Sequence, residues 1–198
     1  MRKLFFFAAI AAISLVACNK SSDTALNNPP IQKADVAPTI EKTSIARLTD
    51  KNEIELLFLQ KDAQEFFAKE NPGETLVFVE VQDDNKDGKD AGLLYRIFNE
   101  NEKVAETSIS FVVTLEKGIY YVPTATTLQY ATEFGAKSVK CSTTNEMCLY
   151  EGGCVPTKDG KCKPCPKHGT CTQKGGSLTE LESAINALAY ATSVYTMY

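Results

Sequence analysis

Six of the seven cysteines in this chain fall between Cys141 and Cys171. Those 31 residues hold almost no large apolar side chains beyond Leu149, Tyr150 and Val155, and they carry Gly152-Gly153, Pro156, Gly160, Pro164 and Pro166. A stretch of that composition cannot build a core of its own, so cross-links must supply its order. Cys141, Cys148, Cys154, Cys162, Cys165 and Cys171 are an even number, which in an exported chain reads as a disulfide framework. Six cysteines allow 15 pairings, and the sequence does not choose among them. Two other readings use the same residues. Cys162, Cys165, His168 and Cys171 combine three thiols with the only histidine, a donor set that suits tetrahedral zinc. The spacing matches C-x2-C-x4-H-x4-C knuckles and ferredoxin runs poorly, and metal capture would leave Cys141, Cys148 and Cys154 as an odd set. Cys162-Lys163-Pro164-Cys165 is also a C-x-x-C pair. A redox pair of that kind normally opens a helix that lowers a thiol pKa. Here Pro166 follows with no helical pattern behind it, and His168 is expected to be a solvated loop residue.

The expectation of export comes from the other end. Arg2 and Lys3 precede an apolar run, Leu4 to Val16, that is broken only by Ser14. The run is shorter than the ~20 apolar residues that span a bilayer, and it has the form of a secretory signal over residues 1–17. It ends in Leu15-Val16-Ala17-Cys18, which resembles the bacterial lipobox. That resemblance, confined to this segment, implies cleavage before Cys18 and acylation of Cys18 by diacylglycerol and, usually, a further chain such as palmitate. Two or three chains, at ~0.8 kcal/mol per buried methylene, hold a protein stably on a membrane. Asn19 in place of aspartate implies, by the enterobacterial sorting rule, the outer membrane. Lys20-Ser21-Ser22-Asp23 resembles the acidic export tag of surface lipoproteins in Bacteroidetes, and Asp23-Thr24-Ala25 matches the short O-glycosylation motif of that group. The expected location is therefore the outer membrane or cell surface of a bacterium.

The chain carries 21 basic and 25 acidic side chains. Removal of Arg2 and Lys3 leaves 19 against 25, a net charge of −6 with no basic cluster. That balance argues against nucleic acid and against an anionic lipid surface as partner. Membrane contact would come through the lipid, and a protein or glycan partner is left open. Residues 18–47 hold Asn27-Asn28-Pro29-Pro30 and Ala37-Pro38 with few large apolar residues, and are expected to be a lipidated, flexible tether spanning roughly 30 Å.

Residues 48–198 are expected to form one α+β domain: an antiparallel meander sheet packed by helices, with the Cys-rich segment 141–171 and a C-terminal helix. Thr49 or Asp50 could cap a helix to about Ala68, with Leu56, Leu59, Ala63, Phe66 and Phe67 on one face. Ile54 to Leu59 could instead be a strand leading into a shorter helix. Asn71-Pro72-Gly73 ends it. Thr75–Gln82, Leu93–Phe98 and Thr107–Leu115 follow the two-residue period of strands, the last with Ile109, Phe111, Val113 and Leu115 inward and Ser108, Ser110 and Thr114 outward. Glu116-Lys117-Gly118 turns into Ile119–Val122. Leu128–Phe134 suggests one or two helical turns. Ser177-Leu178-Thr179-Glu180 has the form of a capping box, opening a helix to about Tyr195 with Leu178, Leu181, Ile185, Leu188 and Tyr195 as its stripe.

Asp83, Asn85, Asp87 and Gly88 fit positions 1, 3, 5 and 6 of a calcium loop, and Asp90 could assist. Leu94 stands where the bidentate glutamate belongs, so a polar hairpin loop is the competing reading. No G-x-S-x-G, P-loop, G-x-G-x-x-G or H-E-x-x-H occurs. With a single histidine, nucleophilic catalysis by a Ser-His-Asp arrangement is not expected. Tyr120, Tyr121, Tyr130, Tyr150, Tyr190, Tyr195 and Tyr198 suggest a carbohydrate platform, weakened by the absence of tryptophan. The resulting expectation is a non-catalytic envelope protein with a structural or binding role and no cofactor. A redox or metal-binding protein using the Cys-rich segment and a calcium-stabilised adhesion module are the alternatives.

Overall fold

The computed structural model describes residues 40–133 and 137–197, with backbone alone over 130–133. The lipobox, Cys18 and the motifs that follow it lie outside the described residues.

Strand β1 is Lys42–Leu48. This corrects the expected tether boundary: residues 42–47 are a strand with neighbours on both sides. A bulge between Ser44 and Ala46 buries the consecutive residues Ile45 and Ala46 and so breaks the alternation that marks a strand. A turn with Asn52 at φ 62°, a left-handed conformation that asparagine tolerates, leads into β2, Ile54–Leu56. Helix α1 follows at Gln60–Glu70. The strand-then-shorter-helix reading therefore holds, and neither Thr49 nor Asp50 is a cap. The Thr49 hydroxyl accepts the Glu53 N–H inside the hairpin instead. Asn71 ends α1, its backbone and side-chain amides both donating to the Phe67 carbonyl.

Strands β3 (Glu74–Gln82), β4 (Gly92–Asn99) and β5 (Val104–Ser110) form the expected meander. Two glutamines stitch α1 to a bulge in β3: the Gln64 side-chain amide donates to the Val77 carbonyl at 2.7 Å, and the Val79 N–H donates to Gln60 Oε1 at 3.2 Å. The expected strand Thr107–Leu115 is split. Its first part is the end of β5, and its last residues belong to β6, Thr114–Glu116, in another sheet. The buried residues Val112 and Val113 carry the crossing. Lys117 and Gly118, both at positive φ, make a two-residue hairpin turn into β7, Ile119–Pro123. Next come α2 (Ala125–Glu133), β8 (Ser138–Thr143), α3 (Glu146–Tyr150), β9 (Thr172–Gly175) and α4 (Leu178–Tyr195). The two antiparallel sheets run β2-β1-β7-β6 and β3-β4-β5-β8-β9.

The main core lies between the helices, the small sheet and one face of the large sheet. There α4 buries Leu181, Ala184, Ile185, Ala187, Leu188 and Ala191 in one cluster with Leu93, Tyr95 and Ile97 of β4, and it packs on α1. The alanines let the helix sit close, while Leu178 and Tyr195, expected on the same stripe, end up exposed. The Cys-rich segment, inserted between β8 and β9, covers the opposite face through Leu94, Ile109, Val139, Cys141, Cys148 and Cys154. With both faces covered, Ser108 and Ser110 are not outward: they are 1% and 0% exposed, as buried as Ile109. No helix among the described residues is long and apolar enough to cross a membrane.

Candidate functional site

The six clustered cysteines form three bridges: Cys141–Cys162, Cys148–Cys165 and Cys154–Cys171. The order is first to fourth, second to fifth and third to sixth, so every bridge interleaves with the other two. Cys162 and Cys165 are locked to different partners, so the C-x-x-C pair is not a disulfide of its own. The zinc quartet does not assemble either. The sulfurs that do approach one another within 4.8 Å are those of Cys141, Cys162 and Cys171, all already bonded, and His168 is an exposed loop residue whose backbone carbonyl accepts from Asn145. Gly153 is required by crowding: a Cβ there would stand 2.8 Å from the Cys148 sulfur and 2.9 Å from the Cys165 Cα.

These bridges fix α3. Cys148, in the middle of that short helix, is fully buried and tied to Cys165. Asn145 caps the helix by accepting the Met147 N–H at 3.0 Å, while its amide reaches the His168 carbonyl at 3.2 Å. Helix α3 is thus held as a wall beside the large sheet.

Between that wall and the sheet lies a groove of about 220 Å³. Its floor is Arg96 with Phe98 on β4, and Leu149 and Tyr150 stand on the α3 side. The Arg96 Nε donates to Thr107 Oγ1 at 2.8 Å, and the guanidinium lies 4.9 Å from the centre of the Phe78 ring. No carboxylate among the described residues pairs with it. Burial holds the guanidinium below its ordinary pKa. Tyr150 is 82% exposed at the rim. Sequence reasoning passed over Arg96. The available signal was one charge inside the otherwise apolar run Leu93-Leu94-Tyr95-Arg96-Ile97-Phe98.

The calcium-loop residues lie in the connection between β3 and β4. Asp83 is buried and turned inward. Its Oδ1 accepts the Lys86 N–H at 2.9 Å, and its Oδ2 accepts the Gly88 N–H at 2.9 Å and the Tyr120 hydroxyl at 3.1 Å. Burial first, and the hydrogen bond to Asp83 next, push the Tyr120 hydroxyl up to about 12. Asp87 accepts the Lys89 N–H, which lowers its pKa, and faces the Lys89 ammonium at 3.4 Å. Asn85 and Asp90 are exposed. Among the described residues, no three carboxylates here bring oxygens within 4.8 Å of one another. The loop as folded is a hairpin anchor that fastens β3 to β7. Gly88 permits the turn: it has φ 77°, and a Cβ there would meet Leu115 at 2.6 Å.

A buried polar seam lies on the α4 face. Lys140 of β8, its side chain 10% exposed, reaches Glu106 at 3.0 Å and Glu180 of α4 at 2.9 Å. Burial lowers the Lys140 pKa, but hydrogen bonds and charge from the two acids outweigh it and the net shift is upward. Glu180 is raised, chiefly by burial, with repulsion from Glu106 and Glu74 adding to it and Lys140 opposing it. Ser177 does cap α4, accepting the Glu180 N–H at 3.4 Å, but the reciprocal half of the capping box is absent. Glu180 spends Oε1 on Lys140, and its Oε2 is buried without a partner.

Among the described residues, the tyrosines form no common platform. Tyr120 is buried, Tyr150 stands on the cysteine side of the large sheet, and Tyr190 and Tyr195 sit on α4, where Tyr190 stacks on Phe66 at 4.5 Å. The side chains of Tyr130 and Tyr198 lie outside the described residues. No protein family, curated protein or solved structure matches the chain.

Proposed function

We propose that this chain is a bacterial lipoprotein, anchored in the outer membrane through acyl chains on Cys18, with a non-catalytic binding or structural role outside the cytoplasm. The observation that carries this reading is the complete pairing of the six cysteines beyond Cys18. Such a framework persists in an oxidising compartment and is rare in a reducing one. It also accounts for every cysteine except the one at the end of the lipobox. The groove against α3 favours the binding side of the role, since a mostly apolar concavity with a few placed polar groups is the usual form of a small-ligand site. The redox alternative loses support because Cys162 and Cys165 are held by different partners.

The test is metabolic labelling of the full chain with an alkyne analogue of palmitate in a Gram-negative host, followed by separation of inner and outer membranes. Label on the chain, lost in Cys18→Ala, with the labelled protein in the outer-membrane fraction, is the expected result. An unlabelled chain released in soluble form overturns the anchor. A denatured mass about 6 Da below that of the reduced chain, two hydrogens per bridge, checks the oxidised framework.

A further inference from the structure

We propose that the groove between α3 and the five-stranded sheet binds a small apolar monocarboxylate, its carboxylate on Arg96 and its apolar body against Phe98 and Leu149. This deepens the binding role proposed above and does not depend on the lipid anchor.

The two described arginines make the case by contrast. Arg47 is exposed and already paired with Glu55 at 2.7 Å. Arg96 is half-buried, and its partners, the Thr107 hydroxyl and the Phe78 ring, use only Nε and one face. Its two terminal nitrogens have no hydrogen-bond or ion-pair partner among the described residues. A guanidinium presents those donors as a fork that fits a carboxylate with two parallel bonds. A cation partly withdrawn from water attracts an anion more strongly than one on the open surface.

The walls select the rest of the ligand. Val77 and Tyr150 are exposed apolar surface at the rim, and Ala105 leaves room beneath them. An apolar cavity of ~150 Å³ is enough for benzene. The groove, at about 220 Å³, has room for one ring or branched alkyl group and a carboxylate. Pockets for drug-sized molecules start near ~300 Å³, so the groove suits a small ligand better than a nucleotide or oligosaccharide. The site is rigid before binding because Cys148–Cys165 and the Asn145 contacts hold α3 in place, which lowers the ordering cost. Glu146, also on the α3 side, carries the ligand's sign and disfavours a second negative charge.

The experiment is ligand-observed NMR titration of 3-phenylpropionate against the full-length acylated protein in nanodiscs, with empty nanodiscs as baseline. Its neutral isostere, 3-phenylpropionamide, and a short peptide ending in phenylalanine are the comparison ligands. The acid is expected to bind with Kd of roughly 0.1–1 mM. The amide should bind about 10-fold more weakly, and Arg96→Gln should remove the difference between acid and amide. Glu146→Gln should tighten the acid. Tyr150→Ala, at a position too exposed to unfold the domain, should weaken both ligands. Equal binding of acid and amide to the wild-type protein overturns the proposal. So does an acid affinity unchanged in both Arg96→Gln and Tyr150→Ala. Binding of the peptide without binding of the free acid also overturns it, in favour of a protein partner. Acylation at Cys18 is read in a separate assay, so either conclusion can fail alone.

Discussion

The two faces of the five-stranded sheet are covered by different means. On one face α4 buries a continuous apolar surface, with Leu181, Ile185 and Leu188 in one core cluster with Leu93 and Tyr95. Each large side chain buried there contributes about 1.5–3 kcal/mol. On the other face the apolar set is small, and the covering segment is held by three interleaved bridges. Bridges act mainly by limiting the unfolded chain. A cover held by area must seal what it touches. A cover held by staples need not, and the stapled face leaves an apolar groove open beside the half-buried Arg96.

This contrast predicts a ranking of effects. Leu188→Ala removes a fully buried side chain from the area-held face and should cost about 2–5 kcal/mol in urea denaturation, with the slope unchanged. Loss should be global, with amide protection falling across α4, β3 and β4 together. Replacing Cys148 and Cys165 together by alanine should cost about 3 kcal/mol and act locally first. Hydrogen exchange should show α3 opening while α4 keeps its protection. Equal loss in the two helices would show that the faces unfold as one unit, and the contrast would fail.

The third effect is a pH dependence confined to the α4 face. Glu180 has its pKa raised above the 4.5 of an ordinary glutamate. The folded state therefore binds this proton more readily than the unfolded state. Its stabilising contribution is complete below 4.5 and is lost as pH rises through the folded value. Lys140 works at the other end, its contribution present below 10.5 and lost above. Glu180→Gln should flatten the rise in urea midpoint between pH 7 and pH 4.5, and a variant curve parallel to wild type would assign that rise to other groups. The smallest effect belongs to the surface. Lys158→Ala removes an exposed pair with Asp84 at 2.6 Å, and the urea midpoint should not move measurably.

Much of this fold was legible from spacing alone. The two-residue period marks β3 and β4, and Ser177 followed by an apolar stripe marks α4. Periodicity failed where local geometry broke it. The bulge at Ser44 and Ala46 hid β1, and the apolar run Phe111-Val112-Val113 masked the point where the chain leaves one sheet for the other. Glu180 looked like half of a capping box because its partner Lys140 is 40 residues away, beyond what a local motif records. The candidate site was the least legible part. The groove exists because the Cys148–Cys165 bridge holds α3 beside β4, and no linear pattern encodes which cysteines pair.

The interleaved pairing also bears on how the chain matures. On the proposed route of export the polypeptide would emerge from its N-terminal side, and Cys141, Cys148 and Cys154 would all arrive before any of their native partners. An oxidase that joins cysteines in order of arrival would link Cys141 to Cys148, a pairing absent from the finished fold. Native bonding on that route would either wait until Cys162, Cys165 and Cys171 had also emerged or be recovered by thiol–disulfide exchange. The chain's yield should therefore follow its host's capacity for disulfide isomerisation more closely than its capacity for oxidation.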